Sequence, residues 1–225
     1  MDAVKPRTPG VGVVLVGAVL AGSVATGYVV ARVAVPGTRS RYFPWIVGRS
    51  LGLGAYVTLL ALVAMGVWLR HPWRHRWPVL HAEARLRLHS ALGLATCVLV
   101  AGHVVALAAD RYAGVGWPRT VVPGASTYRP TAVTLGVVAL YFLAAMTVTA
   151  AFGGRLVGRH WLTVHRLALP TAALVWFHAV LAGTDTGRLR AVYAVSGVLV
   201  AGLVVTRAFA APGPLPAWAA RKGPS

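Results

Sequence analysis

Four histidines lie inside long apolar runs: His89 and His103 in LHSALGLATCVLVAGHVVALAA (88–109), and His165 and His178 in WLTVHRLALPTAALVWFHAVLAG (161–183). About twenty apolar residues, at roughly 1.5 Å each, cross the hydrocarbon of a bilayer as one helix. Polar side chains at that depth are costly and usually functional, so each imidazole needs a partner. Neither run contains an acid to provide one. A neutral imidazole is a good ligand for iron, and metal ligation is therefore the chemistry these residues offer.

The spacing says how they would share it. His89 and His103 are fourteen apart, about 21 Å along a helix with a phase drift of only about 40°, so they share one face near opposite sides of the membrane. His165 and His178 are thirteen apart, and an ideal helix would separate them by about 140°. Pro170 lies between them, and a proline kink changes such a phase. If the two runs are parallel, His89 with His165 and His103 with His178 hold two hemes stacked across the bilayer, the irons about 20 Å apart. With both axial positions filled by imidazole there is no open site for oxygen or substrate, which leaves electron transfer. Arg87 and Arg166, next to the inner ligands in sequence, are candidates to neutralise the propionates of the inner heme; anchoring the helix ends is their other reading. The bland alternative is four unrelated histidines bonded to nearby carbonyls. It suits a lone intramembrane histidine better than two pairs at matching spacing.

The composition suits this. Of 225 residues, 57% are hydrophobic and 12% charged, and the mean hydropathy is +0.69, which is membrane composition. A formal charge of +18 would point to nucleic acid in a soluble chain. Here the basic residues cluster between apolar runs, where they orient helices and meet anionic lipid, so nucleic acid is excluded as a partner. Asp2, Glu83, Asp110 and Asp185 are the only acids, too few for paired-carboxylate hydrolysis or a carboxylate-rich metal site. The single cysteine, Cys97, excludes an intramolecular disulfide and a thiolate iron–sulfur cluster.

The elements that would position the histidines read as an all-α membrane protein, six transmembrane helices forming a heme-binding bundle over 11–209, between a cytoplasmic N-terminus (1–10) and a Pro-rich tail (210–225). The first span, 11–34, follows Lys5 and Arg7; its apolar core is too long for a signal peptide. The second, 45–69, has Arg49 in its first turn, read as a headgroup anchor or a propionate contact. A basic, aromatic loop with His71 and His75 follows, broken by Pro72 and Pro78 and fitting an interfacial belt. Spans three and five carry the histidines. Between them come an irregular connection, 110–130, rich in Gly and Pro, and a fourth span, 131–152, without charge or histidine. The sixth span is 190–209. Of the 22 Lys and Arg residues, 13 fall on the side of the termini and 9 opposite, which predicts cytoplasmic termini and a multi-pass protein of the cell membrane.

Residues 45–186 resemble the ferric reductase-like transmembrane domain family. The resemblance rests on GRSLGLGAYVTLL in the second span, LHSALG and GHVVAL in the third, STYRP before the fourth, and LTVHRLALP with FHAVLAGTDT in the fifth. The family includes the membrane halves of NADPH oxidases, ferric reductases and the heme-binding membrane subunit of the bacterial periplasmic methionine sulfoxide reductase. Its heme arrangement maps onto His89, His103, His165 and His178. The resemblance implies two b-type hemes and an electron-transfer component of an oxidoreductase. Larger relatives continue into a FAD and NADPH domain. This sequence has no dinucleotide fingerprint, so a separate donor, a flavoprotein or quinol, and an extracytoplasmic acceptor are expected. A flavin is compatible with the family, but no residue here identifies its site. Two other classes stay open: a quinol-linked cytochrome b of another fold, marked by a stoichiometric quinone site, and a non-redox transporter or assembly protein, marked by broken helices and internal repeats.

Overall fold

Hydrocarbon thickness sets the scale of the helices. The computed structural model describes residues 41–71, 81–156 and 158–209, and all regular structure among them is helical. Helix α1 is Phe43–Leu69, α2 Ala82–Ala108, α3 Gly116–Val121, α4 Pro130–Leu156, α5 Trp161–His165, α6 Ala168–Ala182 and α7 Thr186–Phe209. At 27 residues each, α1, α2 and α4 are about 40 Å long, enough to span the hydrocarbon with a turn to spare at either end. Among the described residues, five stretches are long and apolar enough to cross a membrane: α1, α2, α4, α5 with α6, and α7. The span expected at 11–34 lies outside the described residues, as do residues 1–10, His75 and the tail 210–225.

The helices are apolar nearly all round, as a bilayer requires. Val198 and Leu199 on α7 are 70% and 66% exposed, and Leu94, Val105, Val148 and Phe177 also face outward. In water so much apolar surface would drive association, whereas lipid covers it at no cost. This is the build of a multi-pass membrane protein. The inward contacts are fewer. Leu59 and Val63 of α1 pack on Ala172 of α6, with Val175 and Val200 beside them. The Thr96 and Thr58 hydroxyl oxygens approach to 3.1 Å between α2 and α1, and the Tyr56 and Ser196 hydroxyls meet at 2.6 Å between α1 and α7.

The bundle is organised as two pairs of helices. α1 packs along α2, and α4 along α5 and α6, while α1 also touches α6 and α7. The histidines lie on α2, on α5 and on α6, and α2 has no such interface with α5 or α6, so a cleft separates it from them.

Several boundaries differ from the sequence reading. α2 begins at Ala82 instead of residue 88, because AEARLRL is made of strong helix formers even though it is polar. The connection 110–130 contains the short helix α3. Its start is pinned by the buried Asp110, which accepts hydrogen bonds from the backbone of Tyr112 (3.2 Å) and Ala113 (2.7 Å). His71 is not in an open belt. It is 1% exposed, stacked on Trp68 at 5.5 Å, with its Nε2 3.4 Å from Thr206 Oγ1. The fifth span is broken at Arg166 and Leu167, three residues before Pro170. Proline has no N–H for the Arg166 carbonyl, and its ring crowds that carbonyl, so α5 ends there and α6 restarts with Pro170 in its first turn.

Candidate functional site

The cleft between α2 and the α5–α6 segment holds the four histidines. The rings of His89 and His165 have their centres 6.0 Å apart at 67°. Those of His103 and His178 are 6.3 Å apart at 80°. Early histidine faces early and late faces late, so α2 runs parallel to the α5–α6 segment, with the two ring pairs about 20 Å apart along the helices. The break ahead of Pro170 brings His165 into the same cleft as His178, although an unbroken helix would point it elsewhere.

Around the outer pair the cleft opens into a cavity of about 740 Å³, with His103, His178, Gly52, Gly136, Tyr56 and Arg49 in its walls. That is within the roughly 300–1,000 Å³ of small-molecule and cofactor sites. Both rings are backed by the neighbouring helix. His103 Nδ1 lies 2.6 Å from the Gly48 carbonyl on α1, and His178 Nδ1 lies 2.7 Å from the Ala132 carbonyl on α4. A carbonyl only accepts, so Nδ1 carries the proton in both rings and Nε2 is left as the electron-pair donor facing the cleft. The inner pair differs: Nδ1 of His89 and of His165 is buried without a hydrogen-bond partner.

No protein-family model, curated protein or solved structure matches this chain. The chemistry of the site therefore rests on its own geometry. Among the described residues, no three His, Cys, Asp or Glu side chains gather closely enough to hold a bare metal ion. Two imidazoles alone would leave such an ion half coordinated. A metal held by either pair would have to bring its other ligands with it.

The two arginines next to His89 and His165 in sequence are exposed. Arg87 is 59% exposed and pairs with Glu83 one turn back on α2. Arg166 is exposed in the turn between α5 and α6. Sequence reasoning missed two others. Arg85 has a buried Nε with no partner, and it precedes His89 by four residues, which puts both on one helix face. Arg70, at the C-terminal end of α1, lies close enough for its charge to act on His165. The i, i+4 spacing was a readable signal for Arg85. Arg70 had none, since its approach depends on how α1 packs.

At the end of the bundle that holds His103 and His178, Arg49 is partly buried and paired. It bonds Thr184 and pairs with Asp185 at 2.5 Å, tying α1 to the turn between α6 and α7. The STYRP segment supports the same end. Arg129 donates to the carbonyls of Leu181 (2.5 Å) and Gly183 (3.2 Å), and the Tyr128 hydroxyl to that of Ala182 (3.3 Å). These are the carbonyls a helix leaves unpaired at its C-terminus, and a cation there also complements the helix dipole.

Proposed function

We propose that this chain is a b-type heme membrane protein that carries electrons across the bilayer, the membrane component of a ferric reductase-like oxidoreductase system. The observation that carries the reading is the separation of the ring pairs. Two nitrogen–metal bonds of ~2.0–2.1 Å, with ~1.1 Å from each nitrogen to its ring centre, put two imidazoles sharing one metal ion ~6.3 Å apart between centres. The measured 6.0 and 6.3 Å match that requirement twice. A macrocycle brings the four equatorial ligands that the protein lacks, and the gap between α2 and α6 gives it room. Two irons so bound would supply one-electron steps and no open coordination position.

Each part of the chain then has a role. His89 and His165 would hold the iron of an inner heme, and His103 and His178 that of an outer one. Arg85 and Arg70, with Arg87 and Arg166 nearer the interface, set the charge around the inner site. The apolar walls exclude water, so the protein need not reorganise much as charge moves. Electrons enter from a separate flavoprotein or from quinol on the cytoplasmic side, where both termini lie, and leave to an extracytoplasmic acceptor.

The test is the dithionite-reduced minus oxidised spectrum of the purified protein, with a heme-to-protein ratio. Low-spin b-type bands, two hemes per chain and little change with carbon monoxide are the expected result. His89→Ala and His165→Ala should each remove one and the same heme, and His103→Ala and His178→Ala the other. Colourless protein from heme-replete cells would sink the reading, and heme loss grouping His89 with His103 would refute the pairing.

A further inference from the structure

The hydrogen bonds behind His103 and His178 follow a common rule. In an α-helix the carbonyl of residue i accepts from the N–H of residue i+4 and keeps a second lone pair on the helix flank. The side chain of i+4 tilts toward the helix N-terminus and stands over that lone pair. Threonines in this protein use the arrangement themselves: Thr58 donates to the Gly54 carbonyl, Thr96 to Leu92 and Thr171 to Leu167, at 3.1, 2.8 and 2.7 Å. With glycine at i+4 the lone pair is open to a donor from another helix. His103 takes the Gly48 carbonyl across Gly52, and His178 takes the Ala132 carbonyl across Gly136. A Cβ on either glycine would stand 2.7 Å from the ring that occupies its place.

The inner pair sits in the same register with a different outcome. α1 and α2 are antiparallel, so the fourteen residues back from His103 to His89 correspond to fourteen forward on α1, from Gly48 and Gly52 to Leu62 and Gly66. Gly66 is there, its would-be Cβ 3.2 Å from His89 Cε1, and the Leu62 carbonyl acts on the His89 ring, but Nδ1 falls short of a hydrogen bond. On α4, thirteen forward from Ala132 and Gly136 gives Ala145 and Thr149. The Thr149 hydroxyl holds the Ala145 carbonyl at 2.7 Å, and His165 Nδ1 is unpartnered.

We propose that Gly52 and Gly136 are positioning residues, which with the carbonyls of Gly48 and Ala132 lock the outer histidines as Nδ1–H donors with Nε2 in the cleft. The inner pair, with the Leu62 contact short of a hydrogen bond and the Ala145 carbonyl occupied by threonine, is held more loosely. The two sites are therefore unequal by construction. A hydrogen bond from Nδ1–H makes the ligand more basic and favours the oxidised metal, so the lock holds the outer couple at a lower potential than it would otherwise have. That consequence rests on the heme reading, whereas the lock itself does not.

Redox titration of the full-length protein tests the consequence. Gly52→Ala and Gly136→Ala should each move the same one of two components to higher potential, or remove it with half the heme, and leave the other in place. Gly93→Ala, whose Cβ meets nothing closer than Leu62 at 3.9 Å, should move neither. Folded variants in which both components stay put, or in which the two glycines act on different components, overturn the proposal. If the wild-type protein binds no heme, the heme reading fails alone, and ¹⁵N-histidine spectra of the same full-length chain decide the lock. His103 and His178 should then be protonated on Nδ1; protonation of either on Nε2 overturns it. If the glycine variants do not fold, Nδ1–H shifts of the wild type in its reduced, diamagnetic form decide instead. Downfield shifts confined to His103 and His178 support the lock, and equal shifts in all four rings overturn it.

Discussion

Arg85 and Arg87 are two residues apart on α2, and helical geometry gives them different work. Arg85 shares the face of His89 and has a buried, unpartnered Nε; Arg87 points to solvent and pairs with Glu83. A unit charge about 10 Å from a redox centre, at an effective dielectric of about 20, changes its potential by ~1.7 kcal/mol, or ~70 mV for one electron. Arg85→Ala should thus lower the inner couple by roughly 50–100 mV, because the positive charge favours the reduced state. Arg87 lies in water beside its own counter-ion, and its loss should move the couple by less than about 20 mV. A redox titration of the two variants checks this, and equal shifts would show that burial does not separate them. At this scale the histidines were legible because an intramembrane imidazole is conspicuous, and the fourteen-residue spacing fixed their shared face on α2. The arginines were read by nearness in sequence, which misses the i, i+4 relation. Arg49 could not be read at all, since Asp185 is 136 positions away in the chain.

Helices of this length follow from apolar runs, and every run within the described residues became a helix. Their ends did not follow, because polar helix formers extend α2 beyond the hydrophobic stretch, and hydrogen bonds accepted by Asp110 and donated by Arg129 shape the connection before α4. The break between α5 and α6 was legible only as a proline. Its place four residues upstream, at Arg166, is set by the carbonyl that Pro170 cannot serve. That break turns a thirteen-residue spacing into a shared cleft. Pro170→Ala restores the missing donor and lets α5 and α6 join, with a gain in helix propensity of up to ~3 kcal/mol. A continuous helix carries His165 about 140° away from the direction of His178. The expected outcome is a folded protein that keeps the outer heme and loses the inner one, its heme-to-protein ratio falling by half. An unchanged ratio would mean that packing of α5 against α4, and not the proline, aims His165.

Across the whole molecule the remaining question is direction. The parallel course of α2 and α6 fixes which histidines pair but is the same whichever way the bundle sits in the bilayer. Charge is the available guide: on the six-span reading of the sequence, 13 of the 22 Lys and Arg residues fall on the side of the termini and of the segment before α2. Positive loops are retained in the cytoplasm, so that segment should be inside and the connection between α2 and α4 outside. The excess is modest, and the net charge of +18 spreads over both sides, so the orientation needs a direct measurement. His81 and Thr127 are both exposed and stand at opposite ends of the bundle, His81 at the start of α2 and Thr127 shortly before α4. In a background with Cys97 replaced, Thr127→Cys should react with an impermeant thiol reagent in intact cells. His81→Cys should react only after permeabilisation. The reverse pattern would turn the bundle over, making His89 and His165 the outer pair and sending electrons from the other side. Reaction of both sites in intact cells would deny that α2 crosses the membrane, and without that crossing the two ring pairs could not lie at different depths.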